Sequence, residues 1–278
     1  SRSREDVCRE AERLAASGVR EIVLTGIHIC SYGKDLDDGT ELTGLIRAVH
    51  ETRGVDRLRL GSLEPSYITE ETAKALAEPP GLCPHFHLSL QSGCDATLRR
   101  MNRHYTTAEY EESVRLLRQY YDRPAVTTDV IVGFPGETEE EFARTCAFLE
   151  KILFYEIHVF RYSKRNGTAA AKMPDQIPEP VKALRSDRLL ALTAAQADRY
   201  RAGFAGEEES FLLEEICEHG GKAYWVGSTM RYVTGAVPVE ECPEGTAAMI
   251  LKGRLTDEKI PFSRGTALRF SKTGVESS

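Results

Sequence analysis

Short apolar runs alternate with amphipathic segments along the chain to about residue 160. The apolar runs are rich in β-branched and aromatic residues and end in glycine or polar residues, which is typical of strands. The segments between them place apolar residues at helical spacing. This alternation predicts an α/β domain whose parallel sheet is covered by helices, either a barrel or a doubly wound fold. Strands are predicted at 21–26, 58–62, 86–90, 126–132 and 156–160, and helices at 5–17, 41–52, 69–77, 94–101, 107–120 and 138–150.

The pattern changes in the last third of the chain. A long, charged, Ala- and Leu-rich helix is predicted over 179–201. Several short strands follow, separated by Gly, Pro and charged turns, which is typical of a small β-barrel. We therefore expect two domains, 1–205 and 206–278, with the long helix at the end of the first. The later strands are predicted at 211–216, 223–227, 232–236, 247–251 and 266–270.

The composition is that of an ordinary globular protein, since 41% of the residues are hydrophobic and 28% are charged. No apolar run approaches the roughly 20 residues that span a bilayer, and no signal peptide is recognisable. We therefore expect a cytoplasmic protein with no membrane segment. The net charge of −7 does not favour a general nucleic-acid binder, so any RNA contact must rest on local patches.

Seven cysteines are scattered along the chain, and no two stand within a few residues of each other. This spacing excludes a CxxC-type metal or redox motif, and an odd, dispersed set argues against a disulfide framework. Reduced thiols are expected. No metal-ligand set is predicted from these residues.

The predicted strand at 126–132 breaks into the turn Gly133–Gly136 and then opens a helix, with Thr138 and Glu141 spaced as a capping box. Two interpretations are open at this point: a plain strand-to-helix turn, or a loop against which a ligand binds. The other strand ends favour the ligand, because a set of small, polar and basic residues at one sheet edge suits a polar, charged small molecule. The five strand ends are 25–28, 61–65, 91–93, 133–136 and 161–165.

Six blocks of sequence occur in order along the chain, namely LTGIHICSYG (24–33), LGSLEP (60–65), LSLQSG (88–93), RRMNRHYT (99–106), DVIVGFPGETEEEF (129–142) and HVFRYSKRNGTAAAKM (158–173). Together they resemble the radical S-adenosylmethionine (SAM) methylthiotransferases. The resemblance implies a partial (β/α) radical SAM barrel that lacks its first strand. The strands after residue 206 resemble the TRAM domain, a small RNA-binding β-barrel.

The family binds [4Fe–4S] clusters, and the resemblance places the Cys-x3-Cys-x2-Cys loop of one cluster upstream of Ser1. An amino-terminal domain with a second cluster is expected there too, so the chain is expected to be a fragment that is inactive alone. None of the seven cysteines is assigned to a cluster. The intact enzyme would need SAM, the clusters and an electron donor.

The family has two branches that methylthiolate adenosine 37 of tRNA and a third that modifies a ribosomal protein. The segment Gly26-Ile27-His28 resembles the branch acting on C2 of N6-threonylcarbamoyladenosine, whereas the isopentenyladenosine branch carries Gly-Gln-Asn there. Three alternatives remain open. They are the isopentenyladenosine branch, a barrel enzyme with a phosphate-bearing cofactor at 133–136, and a non-enzymatic RNA-binding protein that has lost its cluster.

The resemblance also implies residue roles, although it assigns none to catalysis. Thr25 and Gly26 are expected near the SAM amino group, and Ser62 and Glu64 near the methionine end or the ribose. Gln91 is expected to contact the SAM carboxylate or ribose, and Asp129 is expected at a similar depth in the next strand. Gly133 and Phe134 are expected to pack against the adenine. Alternatively, Glu64 caps its loop and Asp129 satisfies buried backbone groups. For the tRNA anticodon stem-loop the candidates are His28, Arg103, Arg161, Lys164, Arg165, Tyr224, Arg231 and Tyr232.

Overall fold

The computed structural model describes residues 1–36, 39–263 and 265–275. They fall into two compact units. Unit 1 comprises Ser1–Gly61, Lys74–His85 and Tyr200–Ser278, and unit 2 comprises Ser62–Ala73 and Phe86–Arg199. Within the described ranges, no helix has both the length and the apolar character that crossing a membrane requires.

The α/β alternation predicted from the sequence is present. The strands are β1 (Glu21–Leu24), β2 (Arg57–Leu60), β3 (His85–His87), β4 (Ala125–Val132) and β5 (Glu156–Arg161). The helices are α1 (Arg4–Ala16), α2 (Leu42–His50), α3 (Glu70–Leu76), α4 (Asp95–Arg100), α5 (Thr107–Tyr120), α6 (Glu139–Ile152), α7 (Ala169–Lys172) and α8 (Glu179–Ala202).

The five strands form two parallel sheets, one of β1 and β2 and another in the order β3-β4-β5. In the first sheet, Glu21 pairs with Arg57 and Leu24 with Leu60. In the second, β4 and β5 pair from Thr127↔Glu156 to Val132↔Arg161. The prediction of an α/β fold with parallel strands is therefore confirmed.

Capping boxes begin the two long helices that accompany the second sheet. The Thr138 hydroxyl accepts from the backbone N–H of Glu141, and the Glu141 carboxylate accepts from that of Thr138. Thr106 and Glu109 form the same reciprocal pair at the start of α5. Each box satisfies backbone donors that a helix start leaves free, so these helices begin where the sequence predicts.

The last five strands close into a small barrel in the order β10-β8-β7-β6-β9. Trp225, Phe211 and Phe270 are buried in its core, so Trp225 is a packing residue. The predicted strand at 232–236 begins only at Thr234, because Tyr232 has a left-handed φ of 63°. The strands are β6 (Glu208–His219), β7 (Lys222–Thr229), β8 (Thr234–Pro238), β9 (Ile250–Phe262) and β10 (Gly265–Val275).

Within unit 1, β2 packs against this barrel through two buried arginines. Arg57 donates to Oγ of Ser210 over 2.6 Å and to the carbonyl of Ser228 over 3.3 Å. Arg59 donates to the Glu21 carboxylate and to the carbonyl of Thr229. Burying two guanidinium groups is tolerated because acceptors surround each of them.

Candidate functional site

The turn that follows β4 is closed by its own side chains. Gly133 has φ +71° and Gly136 has φ +77°, a region that favours glycine. The backbone N–H of Gly133 donates to Oε2 of Glu137 over 2.7 Å. A Cβ at Gly133 would overlap Cγ of Lys182, so the missing side chain makes room for this lysine of α8.

Besides Lys182, a second basic residue of helix α8, Arg185, contacts this turn. Arg185 donates from Nη1 to Oε2 of Glu137 over 2.8 Å and to the Glu137 backbone carbonyl over 3.1 Å. Both side chains are buried, and burial raises the pKa of Glu137. Neither residue was singled out from the sequence, since about 48 positions separate them and no local pattern links them.

Lys182 completes the attachment of α8. Its Nζ donates to the backbone carbonyl of Tyr162 over 2.9 Å and to the Glu179 carboxylate over 2.7 Å. Phe134 is buried and packs edge-on against the Tyr162 ring. The strand-to-helix turn predicted from the sequence is present, and the structure adds helix α8, which fixes its shape.

Several of the expected SAM-binding residues of unit 2 lie on neighbouring segments. The backbone N–H of Gln91 donates to the carbonyl of Asp129 over 2.8 Å, and Gln91 has a left-handed φ of 69°. The backbone N–H of Leu63 donates to the carbonyl of His87, and the carbonyl of Leu63 accepts from the N–H of Ser89. The two exposed residues that flank Leu63 in the chain therefore lie beside β3. Those exposed residues are Ser62 and Glu64.

Unit 1 holds the remaining candidates for the cofactor. Thr25 and Gly26 follow β1 and are exposed. They line a cavity of about 680 Å³ together with His28, and the apolar side chains of α1, β1 and α2 form much of its wall. Gly61, after β2, is close to Thr25, since a Cβ there would lie 2.9 Å from the threonine hydroxyl.

Three side chains on the adjacent strands β3, β4 and β5 converge on one face of the second sheet. Ligand atoms of His87, Asp129 and His158 all lie within 4.8 Å of one another. Nε2 of His87 is 3.4 Å from Oδ2 of Asp129, and its Nδ1 is 3.1 Å from Oγ1 of Thr127. His87 and His158 were not singled out from the sequence; a histidine on each strand flanking Asp129 was the available signal.

Four basic candidates for RNA contact are exposed in unit 2. Arg103 lies in the loop after α4, and the other three lie at and beyond the end of β5. Their exposure is compatible with phosphate contacts, which depend on accessible cationic side chains. The three are Arg161, Lys164 and Arg165.

The aromatic and basic candidates near the barrel have partners inside unit 1. Arg231 is paired with the buried Glu209 over 2.9 Å. The Tyr232 ring stacks on His85 with centroids 4.1 Å apart, and the Arg59 guanidinium lies 5.0 Å from its centroid. Tyr224, which is half-buried, packs edge-on against Phe262.

All seven cysteines are free thiols, as expected. Four are buried, and burial raises the pKa of Cys83 to about 12. In the ranges that the structure describes, the grouped metal-ligand side chains are the two histidines and the aspartate noted above, with no cysteine among them. These residues therefore do not fit an iron–sulfur cluster, which is held by cysteine thiolates.

Comparison with known proteins identifies the family of this chain. Residues 1–149 match the family model of the radical SAM superfamily. The chain is 38% identical over 270 residues to the threonylcarbamoyladenosine tRNA methylthiotransferase MtaB of Bacillus subtilis, covering 97% of this chain and 59% of the relative. It is 43% identical over 218 residues to the tRNA-2-methylthio-N(6)-dimethylallyladenosine synthase of Caldicellulosiruptor saccharolyticus, covering 78% and 45%. The chain thus spans about half the length of the curated relatives it matches.

The fold has a counterpart among solved structures. The coproporphyrinogen III oxidase HemN of Escherichia coli, a radical SAM enzyme, superposes with a TM-score of 0.50 at 15% identity, over 93% of this chain and 62% of that one. At this identity the likeness concerns the fold alone. With the family match over more than half of its residues, the chain belongs to the radical SAM superfamily.

Proposed function

We propose that the intact protein is a tRNA methylthiotransferase that adds a methylthio group to C2 of adenosine 37. The observation that carries this proposal is the similarity over 97% of the chain to a relative of that activity. The six sequence blocks extend from residue 24 to residue 173, so the similarity covers both the strand ends and the loops between them. A cytoplasmic location follows from a tRNA substrate.

Within this family we favour N6-threonylcarbamoyladenosine as the substrate nucleoside. Gly26-Ile27-His28 supports this branch, and His28 lines the cavity beside Thr25. Relatives named for the dimethylallyladenosine substrate match at similar identity, so the isopentenyl branch is the second candidate.

The residues of unit 2 suit the polar parts of SAM. A carboxylate at Glu64 can accept from an ammonium group, and the Ser62 hydroxyl can donate or accept at a ribose. Both are exposed on the segment beside β3, and the backbone of Gln91 is held in a left-handed conformation. In unit 1, Thr25 and Gly26 offer a hydroxyl and backbone groups. SAM would supply the radical and the methyl group when bound to a reduced cluster.

For the iron–sulfur clusters we propose ligands outside these 278 residues. The sequence contains no Cys-x3-Cys-x2-Cys triplet, and the described cysteines do not gather. The residues present would then bind and orient SAM and tRNA, and an external electron donor would reduce the clusters.

The closed barrel of unit 1 is proposed to be a TRAM-type RNA-binding module. Its size and five-stranded closure support this, although its acidic residues do not, because phosphate contacts need cations. We therefore expect the anticodon stem-loop to depend chiefly on the exposed basic residues of unit 2, namely Arg103, Arg161, Lys164 and Arg165.

The experiment is nucleoside mass spectrometry of tRNA from a strain that lacks the gene. Loss of 2-methylthio-N6-threonylcarbamoyladenosine, restored by the wild-type gene, is the expected result. Loss of the methylthio-isopentenyl nucleoside instead would move the protein to the second branch. Unchanged levels of both nucleosides would contradict the proposed activity.

A further inference from the structure

The side chains of three neighbouring strands of the second sheet meet on one face of that sheet. Asp129 on β4 pairs in register with His158 on β5, so both project from the same face of the sheet. On the opposite side of β4, His87 of β3 approaches the same carboxylate. A carboxylate between two imidazoles is the donor set of a common transition-metal site.

The separations fit a metal ion. Nε2 of His87 lies 3.4 Å from Oδ2 of Asp129, which is longer than the roughly 2.7–3.2 Å of an ordinary hydrogen bond. Two ligands at about 2.0–2.1 Å from one tetrahedral ion are themselves about 3.4 Å apart. The imidazole rings of His87 and His158 have centroids 5.8 Å apart, so small rotations bring a nitrogen of each to the same point.

A second layer of contacts prepares His87 for coordination. Its Nδ1 lies 3.1 Å from Oγ1 of Thr127, and this contact fixes the orientation of the imidazole ring, whose Nε2 faces Asp129.

We propose that His87, Asp129 and His158 bind a divalent first-row transition-metal ion. Two imidazole nitrogens and one carboxylate oxygen suit ions such as Co²⁺, Fe²⁺ and Zn²⁺ rather than an iron–sulfur cluster. His158 is exposed and the other two side chains are half-buried, so an ion can enter from solvent. Three protein ligands leave a coordination position for water or for an oxygen or nitrogen of a substrate. The site does not depend on the proposed tRNA activity.

The test is a titration of the purified protein, without iron–sulfur reconstitution, with Co²⁺ alone. Cobalt separates the two ligand classes, because thiolate ligands add an intense charge-transfer band and nitrogen and oxygen ligands do not. We expect the wild type to bind one more equivalent of Co²⁺ than Asp129→Ala. The difference spectrum, wild type minus Asp129→Ala, should show d–d absorption and no thiolate band. His87→Ala and His158→Ala should each lose the same equivalent.

Two further variants sharpen the assignment. Thr127→Val removes the hydroxyl behind His87 at nearly constant volume, and we expect Co²⁺ to bind about tenfold more weakly. His104→Ala is the matched control, since His104 is an exposed histidine of unit 2 outside the group of three ligands, and its titration should equal that of the wild type.

Circular dichroism separates loss of the site from loss of the fold. Should Asp129→Ala fail to fold, the exposed His158→Ala replaces it as the reference. Coincident Co²⁺ titrations of the wild type, His158→Ala and His87→Ala would overturn the proposal and leave His87 and Asp129 as a simple hydrogen-bonded pair. A thiolate band in the difference spectrum would overturn it too.

Discussion

Arg185 and Glu137 form a buried ion pair, with Nη1 of the arginine 2.8 Å from Oε2 of the glutamate. The same carboxylate oxygen accepts from the backbone N–H of Gly133 over 2.7 Å. One glutamate therefore closes the turn after β4 and attaches it to α8. The shape of the turn depends on a helix that begins more than 40 residues later along the chain.

Breaking this pair from one side should destabilise the protein strongly. Arg185→Met leaves the Glu137 carboxylate buried without its cation, and we expect the free energy of unfolding to fall by about 3–5 kcal/mol. Urea denaturation measures this value. The double variant Glu137→Gln, Arg185→Met should recover part of the loss because it buries no uncompensated charge. A loss below about 1 kcal/mol for Arg185→Met would contradict the structural role.

Gly133 and Gly136 should respond differently to the same substitution. Both have positive φ, so alanine at either position should cost about 1–2 kcal/mol of backbone strain. A Cβ at Gly136 meets only ordinary contacts with Arg100, whereas one at Gly133 would overlap Lys182. We therefore expect Gly133→Ala to be the more destabilising in thermal or urea unfolding.

The excess cost at Gly133 should depend on the lysine side chain. In a Lys182→Ala background, Gly133→Ala should cost about as much as Gly136→Ala does in the wild type. An unchanged difference between the two glycines in that background would show that Lys182 is not the cause.

Tyr232 should act chiefly as a packing residue of unit 1. Its ring contacts His85 and the Arg59 guanidinium, and such contacts are worth about 1–2 kcal/mol together. Tyr232→Ala should lower the free energy of unfolding by that amount, whereas Tyr232→Phe, which keeps the ring, should stay near the wild type. If Tyr232→Ala weakens RNA binding and leaves unfolding unchanged, the ring serves RNA instead.

Stability should depend on pH through Glu141. Hydrogen bonding to Arg100 lowers the pKa of Glu141, so the folded state holds its proton less tightly than the unfolded chain, where the value is about 4.3. The resulting stabilisation is present above about pH 4.3 and is lost as the pH falls through the lower folded value.

Glu141→Gln should therefore lower the free energy of unfolding by about 1 kcal/mol at pH 7, since the pair is partly exposed, and by less as the solution becomes acidic. Urea denaturation across the acidic range gives this profile. In an Arg100→Met background, the effect of Glu141→Gln on the free energy of unfolding should no longer vary with pH in the same way. A profile that is unaffected by Arg100→Met would assign the shift to another group.

Local features of the fold were predictable from the sequence. The α6 capping box follows from the spacing of Thr138 and Glu141, and that helix begins where expected. The strand expected from residue 232 was misplaced by two residues, because the sequence gives no sign that Tyr232 takes a left-handed φ. In the barrel, the strand predicted at 247–251 was misplaced, because Ala248 takes a left-handed φ of 69° and β9 begins only at Ile250. β10 is longer than the predicted 266–270, since pairing with β9 extends it beyond its most apolar residues.

The amino-acid sequence by itself determined the α/β alternation, the helix starts, the approximate place of the closed barrel and the family. The first three follow from the spacing of residues that are close in the chain, and the family follows from the ordered blocks. Only the tertiary structure decided that Lys182 and Arg185 support the turn after β4, and that His87, Asp129 and His158 share one sheet face. The reason is physical. Strand order and register bring together side chains that are about 30 to 70 residues apart, and no local pattern encodes which strands become neighbours.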